Sequence, residues 1–278
     1  MDAASRTRGG PNSTARLTRS FKNVGCLAQV RQGHDNRQER PKLRAVIFDL
    51  DGTLTVLTLP LEAMRRETKR YLYDRGLPKG MIDQSDGISS SIFKAKSYFL
   101  SHDMTPAQWR QLEEHIESML SGYEAGAAKD VRPIDGALDA VGLLKARGLK
   151  TAILTNNGRQ AVDIVLEIIP MACLFDVIQT RNESPTPKPF PDGLTAIVSK
   201  LGVDLSETIY VGDAPIDAVA AARAGIDFWG VTTGETSREI LLSAGAQLVA
   251  SSLHDMIPSV DARLGRRLRR TPNLPSGN

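Results

Sequence analysis

The sequence predicts an α/β fold, in which a parallel sheet is covered by helices on both faces and one helical segment is inserted. Two observations predict the sheet. Short apolar runs alternate with segments of helical periodicity along most of the chain, and polar residues follow several of these runs. A third observation predicts the insertion, because the stretch from about Val56 to Lys129 shows only helical patterns.

Six strands are predicted from the apolar runs, over residues 44–49, 149–154, 175–180, 207–212, 227–231 and 247–250. Six helices are predicted with them, near residues 135–147, 158–169, 190–201, 214–224, 235–244 and 252–263. Gly202 and Gly225 follow two of these helices, as expected from the preference for glycine just past a helix end. The polar motifs then fall just beyond the carboxyl ends of strands, where open α/β sheets bind ligands.

The interruption contains three further predicted helices, Leu61–Arg75, Ser89–Leu100 and Pro106–Gly122. Such a segment can act as a lid over a site, or it can be a rigid accessory bundle. The predicted organisation is therefore a tail over residues 1–42, a core over 43–55 and 130–262, an insertion over 56–129 and a second tail over 263–278.

Two aspartates directly follow the first predicted strand, in the segment Arg44–Leu54. Side chains at positions i and i+2 of a strand point the same way, so we expect Asp49 and Asp51 to face one site. Two carboxylates at such a short separation repel each other, which raises the free energy unless a cation or a shared proton neutralises part of their charge. The pair therefore indicates Mg²⁺, or one carboxylate that titrates as an acid while the other stays ionised. An ordinary Asp-Gly turn is the simpler alternative.

A second apolar run, Leu149–Leu154, ends in Thr155, Asn156 and Asn157. Small polar groups of this kind commonly hydrogen-bond phosphate oxygens. Asn157 has a structural alternative, since it can cap the helix that begins near Gly158.

Lys188 is the single cation of the proline-rich segment Pro185–Asp192. Prolines stiffen the backbone around it, which favours a defined position for the ammonium group. The alternative is a solvated loop lysine, the usual state of lysine in proteins.

A third run, Thr208–Gly212, ends in another pair of acids, Asp213 and Asp217. At this spacing Asp213 lies at the strand end and Asp217 in the first turn of the following helix.

In this order the four segments resemble the haloacid dehalogenase superfamily of phosphohydrolases. Its pattern is Asp-x-Asp after the first strand, Thr or Ser after the second, a lone Lys, and Gly-Asp-x-x-x-Asp. The resemblance spans roughly residues 44 to 250 and implies a Rossmann-like core. Each piece alone is only moderately specific, and the combination is highly specific.

The resemblance implies a role for each matching residue. Asp49 is the nucleophile that forms an aspartyl-phosphate, and Asp51 is the general acid and base. Mg²⁺ binds the carboxylates of Asp49 and Asp213 and the backbone carbonyl of Asp51. Asp217 lies close to that ion or acts through water. The residues that hold the phosphoryl group are Thr155, Asn156 and Lys188.

The insertion lies where one subgroup of the superfamily, subfamily IA, carries a helical cap. Dehalogenase members lack an acid at the position of Asp51, so the resemblance implies a phosphatase acting on a small phosphorylated metabolite. Phosphoglycolate phosphatase-like chemistry is the first hypothesis for the substrate. A sugar phosphomutase of the β-phosphoglucomutase type and a non-catalytic scaffold on the same fold are the alternatives.

Charge is distributed unevenly along the 278 residues. The chain carries +3 overall, with +7 in residues 1–44 and +4 in residues 261–278, so about −8 remains for residues 45–260. An acidic body argues against a nucleic-acid-binding surface on the fold. No apolar run reaches the roughly 20 residues that a membrane span needs.

The amino-terminal segment, Met1 to about Pro41, lacks apolar periodicity and is predicted to be disordered. Its scarcity of acids fits an organellar transit peptide, but a solvated extension or a misplaced start codon explains it equally well. Cys26 and Cys173 do not indicate a disulfide framework, which favours a reducing compartment. We therefore expect a cytoplasmic protein, or an organellar one if residues 1–40 form a transit peptide. The sequence does not predict the oligomeric state.

Overall fold

The computed structural model describes residues 42–56 and 58–265 of the chain. The strands of these ranges are β1 (Ala45–Phe48), β2 (Thr55–Val56), β3 (Arg132–Pro133), β4 (Lys150–Leu154), β5 (Val177–Gln179), β6 (Thr208–Gly212), β7 (Asp227–Val231) and β8 (Leu248–Ala250). Six of them form a parallel sheet in the order β5-β4-β1-β6-β7-β8. Numbered along the chain, these six have the 3-2-1-4-5-6 order of a Rossmann-like sheet. The predicted fold class and all six predicted strands are confirmed.

The helices of the described ranges are α1 (Leu61–Asp74), α2 (Ile88–Ser101), α3 (Pro106–Ala128), α4 (Ala137–Ala146), α5 (Arg159–Ile168), α6 (Asp192–Leu201), α7 (Pro215–Ala224), α8 (Arg238–Ser243) and α9 (Leu253–Arg263). Each corresponds to a predicted helix, with ends that differ by a few residues. Gly202 and Gly225 follow α6 and α7 with φ values of 62° and 73°, which confirms them as helix ends.

The predicted end of α3 at Gly122 is wrong, since the helix continues to Ala128. The buried face of α3 continues through Leu120, Glu124 and Ala128, which are spaced by four. A buried glutamate in this series interrupts the apolar pattern on which the prediction depended. Its burial is explained below by an ion pair with the core.

Both faces of the sheet are packed with apolar side chains. In β1, Val46 and Phe48 belong to the cluster that includes α4, α5 and α9, whereas Ala45 and Ile47 belong to the cluster that includes α6, α7 and α8. Strands buried on both faces have nearly continuous apolar sequences, as in parallel sheets generally.

The insertion consists of α1, α2 and α3 and has an apolar core of its own. Trp109 is 2% exposed and packs in this core beside Phe99, so it anchors the packing of the three helices. Helix α3 begins with a capping box in which Thr105 and Gln108 bind each other's backbone.

The two linkers between the sheet and the insertion pair with each other. Thr55 of β2 lies opposite Pro133 of β3, and Val56 lies opposite Arg132, in an antiparallel ribbon. This ribbon was not predicted, because strands of two residues have no readable periodicity. The insertion boundary predicted at 56 falls within β2, and the boundary predicted at 129 falls just before β3.

The predictions for the tails fall mostly outside the described residues. Arg263, predicted both to end the helix over 252–263 and to begin the second tail, is the last residue of α9, and its Nη1 lies 2.8 Å from Oδ2 of Asp227. No helix in the part of the chain that the structure describes is both long enough and apolar enough to cross a membrane.

Candidate active site

The candidate site lies where the strand order of the sheet reverses. β1 and β6 are neighbours at the centre of the sheet, and the following strands add on opposite sides of this pair. Ligands bind outside the carboxyl ends of strands at such a point. Asp49 follows β1 and Asp213 follows β6, so two of the predicted carboxylates meet across adjacent strands.

Lys188 lies among these carboxylates. Its Nζ is 2.7 Å from Oδ1 of Asp49 and 2.8 Å from Oδ1 of Asp217. It also donates a hydrogen bond to the hydroxyl of Tyr210 at 3.1 Å. The side chain is only 3% exposed, so the alternative of a solvated loop lysine is wrong.

Three carboxylates surround this ammonium group. Asp49, Asp213 and Asp217 are buried, and one oxygen of each lies within 4.8 Å of the others. Burial and the charge of Asp217 raise the pKa of Asp213 to about 7, and they raise the pKa of Asp49 well above its usual value. Lys188 opposes both shifts. Burial lowers the pKa of Lys188, but the charges of Asp217 and Asp49 outweigh it and raise this pKa. When all three carboxyl groups are ionised, the cluster carries more negative than positive charge.

Glycines make room for these carboxylates. A Cβ atom at Gly52 or Gly234 would overlap the Asp213 carboxylate, and one at Gly212 would lie 2.5 Å from Oδ2 of Asp217. Gly52 has a φ of 77°, in the region that favours glycine. Clustered carboxylate oxygens with uncompensated charge are the donor set that Mg²⁺ prefers, so the residues present fit this ion.

Asp51 has different surroundings from the three clustered carboxylates. Its Oδ2 accepts a hydrogen bond from Nδ2 of Asn157 at 2.6 Å, and its Oδ1 accepts one from Oγ1 of Thr55 at 3.2 Å. Burial raises the pKa of Asp51 to about 6, although both hydrogen bonds lower it. Two carboxylates in unlike environments are typical of sites that use one as an acid or base and the other as an ion.

Thr155 and Asn156 lie in the loop after β4. Oγ1 of Thr155 accepts a hydrogen bond from the backbone amide of Asn157 at 3.1 Å. The side chain of Asn156 binds the backbone amide and carbonyl of Lys188, each at 2.9 Å. Asn156 thus holds the Lys188 segment in place, and phosphate binding by Thr155 and Asn156 stays a prediction.

Asn157 contacts a predicted site residue, Asp51, although it was not itself predicted to belong to the site. The residue that caps α5 is Gly158, so the alternative that Asn157 serves as this helix cap is wrong. The available signal was its position in a run of three polar residues at the end of a buried strand.

Tyr210 and the turn after β7 were missed altogether. The Tyr210 hydroxyl donates a hydrogen bond to Oδ1 of Asp217 at 2.9 Å, and burial raises the pKa of Tyr210 well above its usual value. Oγ1 of Thr233 donates to the Gly52 carbonyl at 2.5 Å. A tyrosine inside the apolar β6 run was one available signal, and small residues just after β7 were another.

The insertion contacts the loops around this site. Ser89 of α2 accepts a hydrogen bond from Nδ2 of Asn156 at 3.4 Å. The ring of Phe93, also on α2, lies 4.5 Å from the ring of Phe190, two residues after Lys188. Two glutamates of α3 bind Arg181, which follows β5. Helix α2 therefore touches two segments that carry predicted site residues, and α3 touches the turn that follows β5.

Comparison with known proteins agrees with this geometry. A family model described as haloacid dehalogenase-like hydrolase matches residues 46–231, more than half of the chain. A phosphoglycolate phosphatase from Rhodospirillum rubrum is 30% identical over 240 residues, which cover 83% of this chain and 97% of the relative. The pyrophosphatase PpaX from Bacillus pumilus is 27% identical over 221 residues, covering 79% and 97%. The crystal structure of a hydrolase from Pseudomonas syringae matches with a TM-score of 0.56 and 26% identity, covering 79% of this chain and 98% of that one.

Proposed function

Because the chain belongs to the haloacid dehalogenase-like hydrolase family, we propose that it is a Mg²⁺-dependent phosphatase that hydrolyses a small phosphate monoester. The observation that carries the proposal is the buried contact of Lys188 with Asp49, beside a second carboxylate, Asp51, in different surroundings. A phosphoryl group needs positive charge, a nucleophile and a separate proton donor, and these three residues supply them.

In the proposed reaction, an oxygen of Asp49 attacks the phosphorus atom and forms an aspartyl-phosphate. The bond between phosphorus and the leaving oxygen breaks, and Asp51 gives its proton to that oxygen. Asp51 then takes a proton from water as the water oxygen attacks the phosphorus, which releases inorganic phosphate and regenerates Asp49. The pKa of about 6 for Asp51 suits a group that both gives and takes a proton near neutral pH.

The residues proposed to hold Mg²⁺ are Asp49 and Asp213, through their carboxylates, and Asp51, through its backbone carbonyl. Asp217 already accepts hydrogen bonds from Lys188, Tyr210 and the amide of Ala214, which favours its action through water. When bound, Mg²⁺ supplies positive charge that neutralises the transferring phosphoryl group.

The proposed phosphoryl-binding residues are Lys188, Thr155 and Asn156. Lys188 supplies the charge, and the loop after β4 supplies hydroxyl and amide donors. The Asn156 side chain already binds the backbone of Lys188, so we assign its phosphate contact to the backbone amide.

A small phosphorylated acid such as phosphoglycolate is the first candidate substrate. The Rhodospirillum rubrum relative carries the name of that activity. The PpaX relative carries the name of a pyrophosphatase, which makes pyrophosphate the second compound to test. The mutase and scaffold alternatives share the same core residues and are separated from a phosphatase only by assay.

The test measures phosphate release by the wild-type protein and by Asp49→Asn, with and without Mg²⁺. The substrates are p-nitrophenyl phosphate, phosphoglycolate, pyrophosphate and the glucose 1-phosphate isomers. We expect Mg²⁺-dependent release by the wild type and a loss of about a thousandfold or more in Asp49→Asn, because no oxygen nucleophile of equal strength remains. Asp163→Asn, a change on the exposed surface of α5, is the matched control and retains turnover.

Three results contradict the proposal. A wild type that is as inert as Asp49→Asn toward every ester supports the scaffold. Isomerisation of glucose 1-phosphate without net phosphate release supports the mutase. Equal turnover in wild type and Asp49→Asn removes Asp49 from the mechanism.

We also propose a cytoplasmic location. Cys173 is an exposed free thiol, as suits a reducing compartment. Amino-terminal sequencing of the native protein together with cell fractionation tests this location, and removal of residues 1–40 in an organellar fraction contradicts it.

A further inference from the structure

We infer that Arg181 is a positioning residue, which couples the docking of α3 to the placement of the loop Thr155–Gly158 at the active site. The residues concerned are Arg181 together with Glu117 and Glu124 of α3, and we call them the α3 ion cluster. Their effect on turnover rests on the proposed function, whereas their effect on the loop does not.

The cluster joins the insertion to the core through charge-assisted hydrogen bonds. Nε and Nη2 of Arg181 bind the two carboxylate oxygens of Glu117 at 2.8 and 2.9 Å. Nη1 and Nη2 bind the two oxygens of Glu124 at 2.5 and 3.0 Å. The side chain of Arg181 is 10% exposed and that of Glu124 is 2% exposed. A planar guanidinium that binds two carboxylates fixes distance and angle together, which a single ion pair does not.

The same cluster binds the backbone of the active-site loop. Nη1 of Arg181 donates to the carbonyl of Asn156 at 2.6 Å, and the backbone amide of Arg181 donates to the carbonyl of Asn157 at 3.0 Å. Glu124 accepts a hydrogen bond from the amide of Gly158 at 2.9 Å. Both α3 and the arginine are therefore needed to complete the hydrogen bonds of this loop.

Gly158 shows that the loop and the cluster are fitted to each other. A Cβ atom at Gly158 would lie 3.0 Å from Nη2 of Arg181 and 3.1 Å from oxygens of Glu117 and Glu124. Gly158 is also the N-cap of α5 and has no side chain to cap it. The cluster carries one net negative charge, which is favourable beside the positive end of α5. Glu124 thus caps a core helix from within the insertion.

The loop in turn fixes the positions of two reacting groups, Lys188 and Asp51. The side chain of Asn156 binds the backbone of Lys188, and the side chain of Asn157 binds Asp51. If α3 withdraws from the core, Arg181 loses both carboxylates and the Gly158 amide loses its acceptor. The groups that hold Lys188 and Asp51 are then released together. Catalytic geometry is complete only while the insertion is docked.

The donor or acceptor character of the backbone groups distinguishes the positioning role of Arg181 from that of a simple ion pair. The Asn156 carbonyl only accepts a hydrogen bond, and the Gly158 amide only donates one. Exchanging charges in the double variant Arg181→Glu with Glu124→Arg restores an ion pair, but it places an acceptor against the carbonyl and a donor against the amide. The charge exchange cannot restore the loop if Arg181 acts as we infer.

The experiment compares wild type with Arg181→Met, with the charge exchange, and with the neutral triple variant Arg181→Met, Glu117→Gln, Glu124→Gln. Arg159→Met is the matched control, because it removes a neighbouring arginine whose partner Glu183 belongs to the core. Three properties are measured: the amide hydrogen exchange of residues 155–158 and of α3, the thermal unfolding, and the steady-state turnover of p-nitrophenyl phosphate with Mg²⁺.

We expect Arg181→Met to accelerate exchange in both segments and to lower kcat by about tenfold or more, with a smaller change in KM. Removing one partner of a buried cluster also destabilises the fold, so the triple variant is essential. It removes all three charges, and we expect it to regain thermal stability but neither slow loop exchange nor turnover. The charge exchange gives the same loss of turnover, and Arg159→Met stays within about twofold of wild type in exchange and kcat.

The inference is overturned if the triple variant or the charge exchange regains wild-type turnover together with its stability. It is also overturned if Arg181→Met leaves loop exchange unchanged. If the wild type hydrolyses no phosphate ester, the proposed function fails, while the exchange data still decide whether α3 and the loop are coupled.

Discussion

Asp49 and Asp51 are two positions apart in the sequence, yet each has its own partners. Asp49 lies against Lys188 within a cluster of carboxylates, and Asp51 accepts hydrogen bonds from Asn157 and Thr55. The backbone at Gly234 lies so close to the Asp213 carboxylate that only glycine fits there, which is also a property of a single residue. At this scale the reactivity of each carboxylate depends on the groups that it contacts. The space around a carboxylate can be tested by a substitution that adds a single carbon atom.

We expect Gly234→Ala to lower kcat/KM by about tenfold or more, because the added Cβ displaces the Asp213 carboxylate. Gly142→Ala is the control, since a Cβ there has no atom within 4 Å and lies in helix α4. That control keeps its turnover and gains up to about 1 kcal/mol in unfolding free energy. Steady-state kinetics and urea unfolding measure both, and unchanged kinetics in Gly234→Ala would contradict the proposed position of Asp213 in the reaction.

At the scale of elements, the short 3-10 turn Arg181–Glu183 connects several parts of the fold. Arg181 binds α3 of the insertion, Asn182 binds the backbone amide of Arg159, and Glu183 binds the side chain of Arg159. Three consecutive residues thus attach the end of β5 to α3 and to α5. The turn has little regular structure, but its hydrogen bonds fix the positions of two helices.

The ion pair between Arg159 and Glu183 predicts a pH-dependent stability. Partial burial raises the pKa of Glu183, but hydrogen bonds from Arg159 and Thr180 outweigh it and lower the pKa to about 2. A lowered carboxyl pKa stabilises the fold above the unfolded value of 4.5, and this stabilisation is lost as the pH falls through the folded value. The pair is 36% exposed on each side, so we expect Arg159→Met to lose only about 0.5 kcal/mol at pH 7.

The loss caused by Arg159→Met should become smaller as the pH falls below 4.5, because Glu183 is then protonated in a growing share of unfolded molecules. Urea unfolding of both proteins between neutral and acidic pH measures this difference. A loss of constant size across that range would show that Arg159 stabilises the fold by packing alone.

At the scale of the whole molecule, the site joins segments from distant parts of the chain around one excess of negative charge. The three clustered carboxylates follow β1 and β6, and Lys188 lies between β5 and α6. The site residues come together at the carboxyl end of the sheet only when β1, β5, β6 and the segments that follow them are folded. Ligand binding at that edge is therefore linked to the stability of the folded core.

We expect millimolar Mg²⁺ to raise the unfolding temperature of the wild type by a few degrees. Asp213→Asn should abolish this rise, and without Mg²⁺ it should be at least as stable as wild type, because it removes a buried charge beside Asp217. Asp163→Asn keeps the wild-type rise. Differential scanning calorimetry with and without Mg²⁺ measures each effect, and a full Mg²⁺ response in Asp213→Asn would contradict the proposed ion site.

Much of the core was predictable because its signals are local. Apolar runs located all six sheet strands, the acids directly after two of them pointed to Asp49 and Asp213, and the prolines around a single cation pointed to Lys188. The β2–β3 ribbon was not predictable, since two-residue strands carry no period. Glu124 concealed the end of α3, because a buried charge shows its reason only through a distant partner. Tyr210 was read as an apolar strand residue, since the hydroxyl contact to Asp217 depends on packing across the sheet.

The paired linkers have a consequence for how chains of this kind can diversify. Since Thr55 lies opposite Pro133, the stretch between them departs from the sheet and returns to it at one spot. A substitute stretch must match that spot and supply carboxylates equivalent to Glu117 and Glu124 for Arg181, while the register of the sheet strands stays untouched. Recognition of a new substrate can thus arise by exchange of the one continuous segment between β2 and β3, while the residues that carry out the reaction stay the same.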